Sequence, residues 1–328
     1  MDQEVSRTVL AVDGLRVDLA VGGGTMHPVD GVSFEVAAGE SLGIVGESGS
    51  GKSLSLKAVL GLLPPGATAE GDLRFAFDGG VVRDAERVRG YGVAMVFQEP
   101  MTALNPTMRV GDLIAEAVRA RGRMSRRASR ARVLELMAGV GIPEPERRAR
   151  MWPHELSGGL RQRVMIAAAL ATEPELLLCD EPTTALDVTV QAQILDLLRR
   201  LREERGLAMV FVSHDLAVVA EVCDRVAVMY AGRIVEVGPV DEVLRSPRHP
   251  YTAALLASAP SFAGGGERLA TIPGSPPDPR SFPDGCRFAA RCAFAREDCL
   301  IAEHELVGVD ERRATACIHP EALMEVAR

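Results

Sequence analysis

The sequence predicts an α/β protein: a mostly parallel sheet with an antiparallel β edge, an inserted helical subdomain and a small Cys-containing C-terminal module. Three observations predict it. The opening fifty residues read as short strands, residues 110–150 carry helical periodicity with no strand pattern, and from about residue 160 to residue 230 helices and strands alternate. Alternation of that kind implies right-handed βαβ units, and hence parallel strands.

In order along the chain, Thr8-Val-Leu-Ala-Val, Leu15-Arg-Val-Asp-Leu-Ala and Val32-Ser-Phe-Glu-Val predict an antiparallel edge, broken by the Gly22-Gly-Gly turn and by Ala37-Ala-Gly-Glu. Ser41-Leu-Gly-Ile-Val is too short for a helix and bounded by glycine, which predicts a buried strand. A helix over 52–63 follows, stopped by Pro64-Pro65. The later alternation predicts helices over 160–171, 188–204 and 216–222, and strands at Leu176-Leu-Leu-Cys-Asp, Ala208-Met-Val-Phe-Val-Ser and Arg225-Val-Ala-Val-Met-Tyr. Past about residue 251 the signals fade into Gly264-Gly-Gly and Pro273-Gly-Ser-Pro-Pro-Asp-Pro, which predicts a linker into the last module. The expected domains are therefore 1–250, with the helical insertion at about 101–158, and 251–328.

Composition narrows the function classes. With 328 residues, 47% hydrophobic and 25% charged, the chain has the balance of a soluble globular protein. No apolar run reaches the roughly 18 residues of a membrane span, and the start, Met1-Asp-Gln-Glu-Val, is acidic where a secretory signal is basic, so the chain is expected in the cytoplasm. A net charge of -8 argues against nucleic-acid binding, which draws its affinity from excess Lys and Arg. Six cysteines in that reducing compartment are not expected to form structural disulfides.

The chemistry begins at Gly46-Glu47-Ser48-Gly49-Ser50-Gly51-Lys52-Ser53, a phosphate-loop pattern between a predicted strand and a predicted helix, which makes the fold P-loop NTPase-type. Its backbone N–H groups would ring an anion at a helix N-terminus, Lys52 would reach the β- and γ-phosphates, and Ser53 would hold Mg²⁺. Leu176-Leu-Leu-Cys-Asp180-Glu181 ends an apolar strand in two carboxylates. Asp180 would steady Mg²⁺ and Glu181 would polarise the attacking water as general base; a lone pair of this kind is otherwise a solvated strand end. Leu156-Ser157-Gly158-Gly159 opens a helix, with Ser157 placed 23 residues before Asp180. A hydroxyl and glycine N–H groups there form a second phosphate-binding surface, which one nucleotide cannot easily share with the first.

This organisation resembles the ABC ATPases, in which two such domains meet head to tail and each ATP lies between the phosphate loop of one and the LSGG of the other. The resemblance covers about residues 8–251. It implies that Gln98, after Val93-Ala-Met-Val-Phe, is the Q-loop glutamine that senses Mg²⁺; that Ala185-Leu-Asp187 is the D-loop; and that His214 is the switch histidine at the γ-phosphate. The family stacks an aromatic ring on adenine from the first strand pair, yet no Phe, Tyr or Trp lies between Arg7 and Val32; Leu19 falls near the expected place, with His27 as a substitute.

The surrounding words, including Phe97-Gln-Glu-Pro-Met-Thr-Ala-Leu-Asn-Pro106 and His249-Pro-Tyr-Thr252, are similar to the D-type ATPases of dipeptide/oligopeptide importers. That likeness implies a homologous F-type ATPase subunit or second copy, two transmembrane permease subunits, an extracytoplasmic solute-binding protein, and a peripheral position on the cytoplasmic face of the cell membrane. Import of nickel or another small solute is the alternative, as is a non-transport ABC ATPase. The tail spacing Cys286-x5-Cys292-x6-Cys299-x17-Cys317 lacks the close pairs of structural zinc sites, and irregularly spaced thiolates hold iron–sulfur clusters. Some subunits of this kind carry a 4Fe-4S cluster there, so the resemblance implies one, with zinc and free thiols as alternatives. The arginine-rich run over 119–132 lacks interleaved aromatics and reads as a solvated helix face.

Overall fold

A computed structural model describes residues 7–77, 80–122, 124–184, 186–259, 271–301 and 305–323. In chain order these form β1 (Thr8–Val21), β2 (Gly24–Ala37), β3 (Ser41–Val45), α1 (Lys52–Val59), β4 (Ala67–Phe77), β5 (Gly80–Val82), α2 (Ala85–Val88), β6 (Val93–Val96), α3 (Pro100–Ala103), α4 (Val110–Ala120), α5 (Arg126–Gly139) and α6 (Pro145–Arg148). They continue with α7 (Gly158–Leu170), β7 (Leu176–Asp180), α8 (Val188–Arg205), β8 (Ala208–Ser213), α9 (Leu216–Val222), β9 (Arg225–Tyr230), β10 (Arg233–Pro239), α10 (Val240–Arg245), α11 (Pro250–Ser258), β11 (Val307–Gly308) and β12 (Ala314–Thr315). The chain divides into two compact units: Met1–Leu10, Val36–Glu40 and Arg74–Val210; and Ala11–Glu35, Ser41–Leu73 and Phe211–Arg328.

The first unit contains the neighbouring strands β7 and β6, the opening residues of β8 and the helices of the insertion. β6 and β7 run parallel, with Val93 opposite Leu176 and Val96 opposite Cys179. Both strands are buried throughout and apolar on their two faces, apart from Asp180 at the end of β7, as parallel strands covered on each side require. Helices α4, α5 and α7 pack together; α4 buries Val110, Ile114 and Val118, α5 buries Val133, Leu136 and Met137, and α7 buries Val164 and Met165. The entry to α4 is tied down by Val110 N–H and Gly111 N–H, which donate to the carbonyls of Met151 and Ala149 at 2.9 Å each. Arg119, Arg126, Arg127 and Arg130 are exposed, whereas Arg132 pairs with Glu173 at 2.9 Å and Arg121 pairs with the same carboxylate.

The second unit orders its strands β11-β12-β10-β9-β3. β3 and β9 are parallel, with Leu42 opposite Arg225; β9 and β10 form an antiparallel hairpin, and β12 adds to β10 with Thr315 opposite Glu236. Glu236 is fully buried in the middle of β10. Its carboxylate accepts from the N–H groups of Arg248 and His249 at 2.8 and 2.9 Å and from Arg313 at 3.0 Å, although burial pushes its pKa up. These bonds satisfy a charge that burial would otherwise penalise heavily, and they fasten the chain on either side of α11 to the sheet.

Several sequence expectations change. The two short strands at the start are one 14-residue strand, β1, because Gly14 N–H finds a partner in the Ser33 hydroxyl at 2.8 Å and the ladder continues past it. The helix expected over 52–63 stops at Val59, where Leu62 N–H turns back onto the Lys57 carbonyl at 2.8 Å in a Schellman-type closure, one turn before the prolines. Beyond residue 251 the helical signal does not vanish: α11 continues to Ser258, apolar around most of its circumference and so without the amphipathic stripe by which sequence reveals a helix. The Pro273–Pro279 stretch is not merely a linker. Pro279 accepts a backbone bond from His27 at 2.9 Å and Pro273 accepts from Arg291 at 2.8 Å. The Gly264-Gly-Gly segment lies outside the described residues.

Candidate nucleotide site

In the second unit the loop Gly46–Ser53 joins β3 to α1. A Cβ at Gly46 would lie 2.0 Å from the Met229 carbonyl oxygen, and one at Gly51 would lie 2.4 Å from that of Pro28, so any side chain would push the loop off its neighbours. Gly51 caps α1 at φ 104° with no side-chain bond, which leaves the first N–H groups of the helix directed out of its end as anion donors. Lys52 is buried, and its ammonium folds back on the loop, donating to the carbonyls of Gly46 at 2.8 Å and Glu47 at 2.9 Å. Gly232 N–H donates to Ser50 at 3.0 Å, which ties the loop to the β9–β10 turn. His214, after β8, is exposed, and Asp215 beside it caps α9 by accepting from Ala217 N–H at 2.8 Å.

Pro28, Glu47, Ser48, Gly49 and Ser50 line a recess together with Tyr230, Pro276, Pro277 and Phe282, so the C-terminal extension shares a wall with the phosphate loop. Tyr251 Oη accepts from Glu47 N–H at 2.8 Å. Arg291 donates to both carboxylate oxygens of Glu47 at 2.7 and 2.9 Å. Neither partner is legible as a site residue in the sequence; His249-Pro-Tyr-Thr252 reads there as a family word, and Arg291 as part of the cysteine tail. Leu19 is half-buried, and the half-exposed His27 ring lies 2.6 Å from the Asp18 carboxylate, which orients it.

The first unit brings together Gln98 and Glu181. The Gln98 amide donates to Glu181 Oε2 at 3.2 Å, and the Thr184 hydroxyl donates to the same oxygen at 2.8 Å. Glu181 takes φ 44°, a left-handed conformation that costs a non-glycine residue roughly 1–2 kcal/mol, directly after the fully buried β7. That turn separates it from Asp180, which is buried at the strand end. Ser157 is the exposed N-cap of α7 yet makes no capping bond with its hydroxyl, and Gly158 is exposed beside it. Gly159 has a different reason to be glycine: a Cβ there would lie 2.5 Å from Val190 Cγ1 on α8. Asp187 caps α8 by accepting from Val190 N–H at 2.9 Å, while Ala185 lies outside the described residues.

The four tail cysteines, scattered over 32 positions of sequence, line one small cavity with Phe288, Phe294 and His319. All are free thiols. Burial pushes Cys286, Cys292 and Cys317 up, the last to about 11, and the charge of the neighbouring thiols adds to the effect. Among the described residues the one set of three or more metal-type ligand atoms within 4.8 Å of each other is Asp298, Cys299 and His319.

A profile of the ABC transporter family matches residues 29–184, and one of the oligopeptide/dipeptide transporter C-terminal region matches residues 235–299. The chain is 47% identical over 289 residues to the dipeptide transport ATP-binding protein DppD of Bacillus subtilis (strain 168), covering 87% of this chain and 86% of that one. It is 46% identical over 322 residues to the oligopeptide transport ATP-binding protein OppD of the same organism, covering 96% and 90%. Among solved structures it is similar to the ATP-binding cassette MJ0796 in a dimeric post-hydrolysis state bound to ADP and Pi, with TM-score 0.62, 30% identity, and coverage of 70% of this chain and 98% of that one. Fold and loop chemistry thus define an ABC-type ATPase. Within that class, the chain belongs to the ABC transporter ATP-binding proteins of the oligopeptide/dipeptide branch.

Proposed function

We propose that this chain forms one half of a head-to-tail ATPase dimer that energises import of dipeptides or oligopeptides. The observation that carries the reading is the pairing, on one chain, of a phosphate loop in which Gly46 and Gly51 leave no room for a Cβ with a second helix N-terminus whose Ser157 hydroxyl is not used for capping. Gly46–Ser53 would bind the ATP phosphates in cis, and Ser157, Gly158 and Gly159 would bind those of the partner's nucleotide. Ser53, Gln98 and Asp180 each offer a side-chain oxygen of the kind Mg²⁺ prefers, and each would bind the ion that neutralises charge on the transferring phosphate. Glu181, held by Gln98 and Thr184, would take the proton of the attacking water; His214 would contact the γ-phosphate, and Asp187 would relay between the two sites. Adenine would rest on Leu19 or the His27 ring.

Residues 1–250 would then be the ATPase domain, with the helical insertion at 101–158 facing the permease, and 251–328 the extension. Two permease subunits, an F-type ATPase or second copy, and an extracytoplasmic binding protein complete the importer, with this chain on the cytoplasmic face. No helix among the described residues is long and apolar enough to cross a membrane, which suits a subunit attached through partners. Reconstituted with the permease pair and binding protein in vesicles, the complex should accumulate a labelled tripeptide in an ATP-dependent way; accumulation of nickel with no peptide uptake would replace the substrate assignment.

The spread of the four thiols supports reading them as ligands of a 4Fe-4S cluster, with a single zinc as the alternative. A tetrahedral zinc with Zn–S of about 2.3 Å needs sulfurs about 3.8 Å apart. No three of these four lie within 4.8 Å of each other, yet all line one cavity, so a body larger than one ion is needed to touch them all. Cys286, Cys292, Cys299 and Cys317 would hold the cluster, which would cross-link the extension. Anaerobic purification with iron, sulfide and zinc analysis tests this: about four irons and four sulfides per chain are expected. Zinc alone would point instead to the Asp298, Cys299 and His319 group.

A further inference from the structure

We propose that Arg291 is a positioning residue of the ATP site: it locks Glu47 of the phosphate loop and cancels its charge, so that the C-terminal extension forms part of the nucleotide-binding apparatus. The proposal rests on the assignment of Gly46–Ser53 as the ATP phosphate loop.

A carboxylate in the second position of such a loop is a problem in electrostatics. The loop exists to present N–H groups and one lysine to a polyanion, and Glu47 places a negative charge among them. The structure resolves it with a planar fork, in which Arg291 Nη1 and Nη2 take the two oxygens of Glu47 at 2.7 and 2.9 Å, the geometry in which guanidinium and carboxylate bind most strongly. The guanidinium is itself fixed. Its Nε donates to the Pro273 carbonyl at 2.8 Å, its Nη1 also reaches Tyr230 Oη at 3.2 Å, and only 4% of its side chain is exposed. The Tyr230 and Phe288 rings lie beside it, with centroids 5.7 and 5.8 Å from its Cζ; Tyr251 packs against both of these rings, and its Oη accepts from the backbone N–H of the same Glu47. The Glu47 carbonyl in turn holds the Lys52 ammonium at 2.9 Å. Arg291 therefore stands one residue away from the lysine that would meet the phosphates. It belongs to the turn Ala289–Arg291 that leads directly into Cys292, so the cysteine tail has a mechanical route to the loop.

Two consequences separate this role from ordinary packing. Without Arg291, Glu47 regains a free charge beside the phosphates, so ATP affinity should fall and the fall should shrink as salt rises. Removing the Glu47 charge as well should then restore binding, which no loss of packing would allow.

The test is equilibrium binding of Mg·ATP to the full chain, with folding monitored by thermal unfolding, in Arg291→Met, Glu47→Gln, the double variant and Lys52→Ala. Arg291→Met is expected to weaken binding about tenfold at low salt, with the steady-state defect in KM for ATP rather than kcat, and the double variant is expected to regain most of that loss. Equal affinity of Arg291→Met and the unaltered chain, or a double variant as weak as Arg291→Met, would overturn the proposal. If Arg291→Met does not fold, Arg291→Gln, which keeps a donor to Glu47 without the charge, is measured in its place with the same expected pattern. Lys52→Ala separates the underlying assignment: if it binds ATP normally, the loop assignment fails; if it loses ATP while Arg291 variants keep it, the inference alone fails.

Discussion

At the scale of single residues, the geometry of Glu181 is the most informative feature of the proposed hydrolytic half-site. It adopts a left-handed backbone conformation at the end of a buried strand, and two donors meet on one of its oxygens. Strain of this kind persists only where the surroundings over-determine it, and it points the carboxylate away from the direction taken by Asp180. Glu181→Gln keeps the shape and the acceptor oxygen but cannot take a proton. Hydrolysis is expected to fall at least a hundredfold with ATP affinity unchanged, measured as single-turnover rate against equilibrium binding. Unchanged turnover would exclude Glu181 as the base.

Elements impose their own constraints. Helices α7 and α8 approach so closely at Gly159 that a methyl group there meets Val190 at 2.5 Å. Gly159→Ala should therefore cost about 1–3 kcal/mol through overpacking, read as a shift of the urea midpoint, whereas Gly158→Ala, whose Cβ would meet Leu186 at an ordinary 3.5 Å, should cost less. In the second unit, Asp30 on β2 pairs with Arg233 of β10 at 2.8 Å and with Arg287 of the extension. Burial works to raise the Asp30 pKa, but the hydrogen bonds from Arg233 and Arg287 prevail and hold it below the ordinary carboxylate value. A depressed folded pKa contributes stability above the unfolded value of about 3.9 and loses it as pH falls through the folded one. Asp30→Asn should thus cost roughly 2 kcal/mol at pH 7, by removing the negative charge that Arg16, Arg233 and Arg287 share, and the difference from the unaltered chain should narrow below pH 4 in urea titrations. A constant difference across that range would remove the ion pair as the cause.

For the molecule as a whole, the two proposed phosphate-binding surfaces imply that turnover is a property of an assembly. Hydrolysis per chain should rise with the concentration of the chain or of its partner ATPase, and Glu181→Gln with ATP should elute as a dimer. A rate per chain that does not change over a hundredfold range of concentration would contradict the composite site.

By itself the sequence determined the phosphate loop, the LSGG helix start, the Asp-Glu strand end and the βαβ alternation, because each depends on neighbours a few residues apart: a strand period, a helix cap, a glycine turn. β9 and β7 span the residues that their short apolar runs, with one flanking charge each, predict. It missed β4, β10, α10 and α11, whose burial patterns are mixed or uniformly apolar and carry no period to detect. Only tertiary structure decided that Arg291 reaches Glu47 across 244 positions, that Glu236 is buried with Arg313, and that four irregularly spaced cysteines line one cavity. Such pairings are set by how strands and turns stack around a common core, and separation along the chain holds no record of that. The ordered ATPase motifs thus told what chemistry the chain performs; the fold disclosed that its cysteine tail is bonded to the Gly46–Ser53 loop through Arg291 and Glu47.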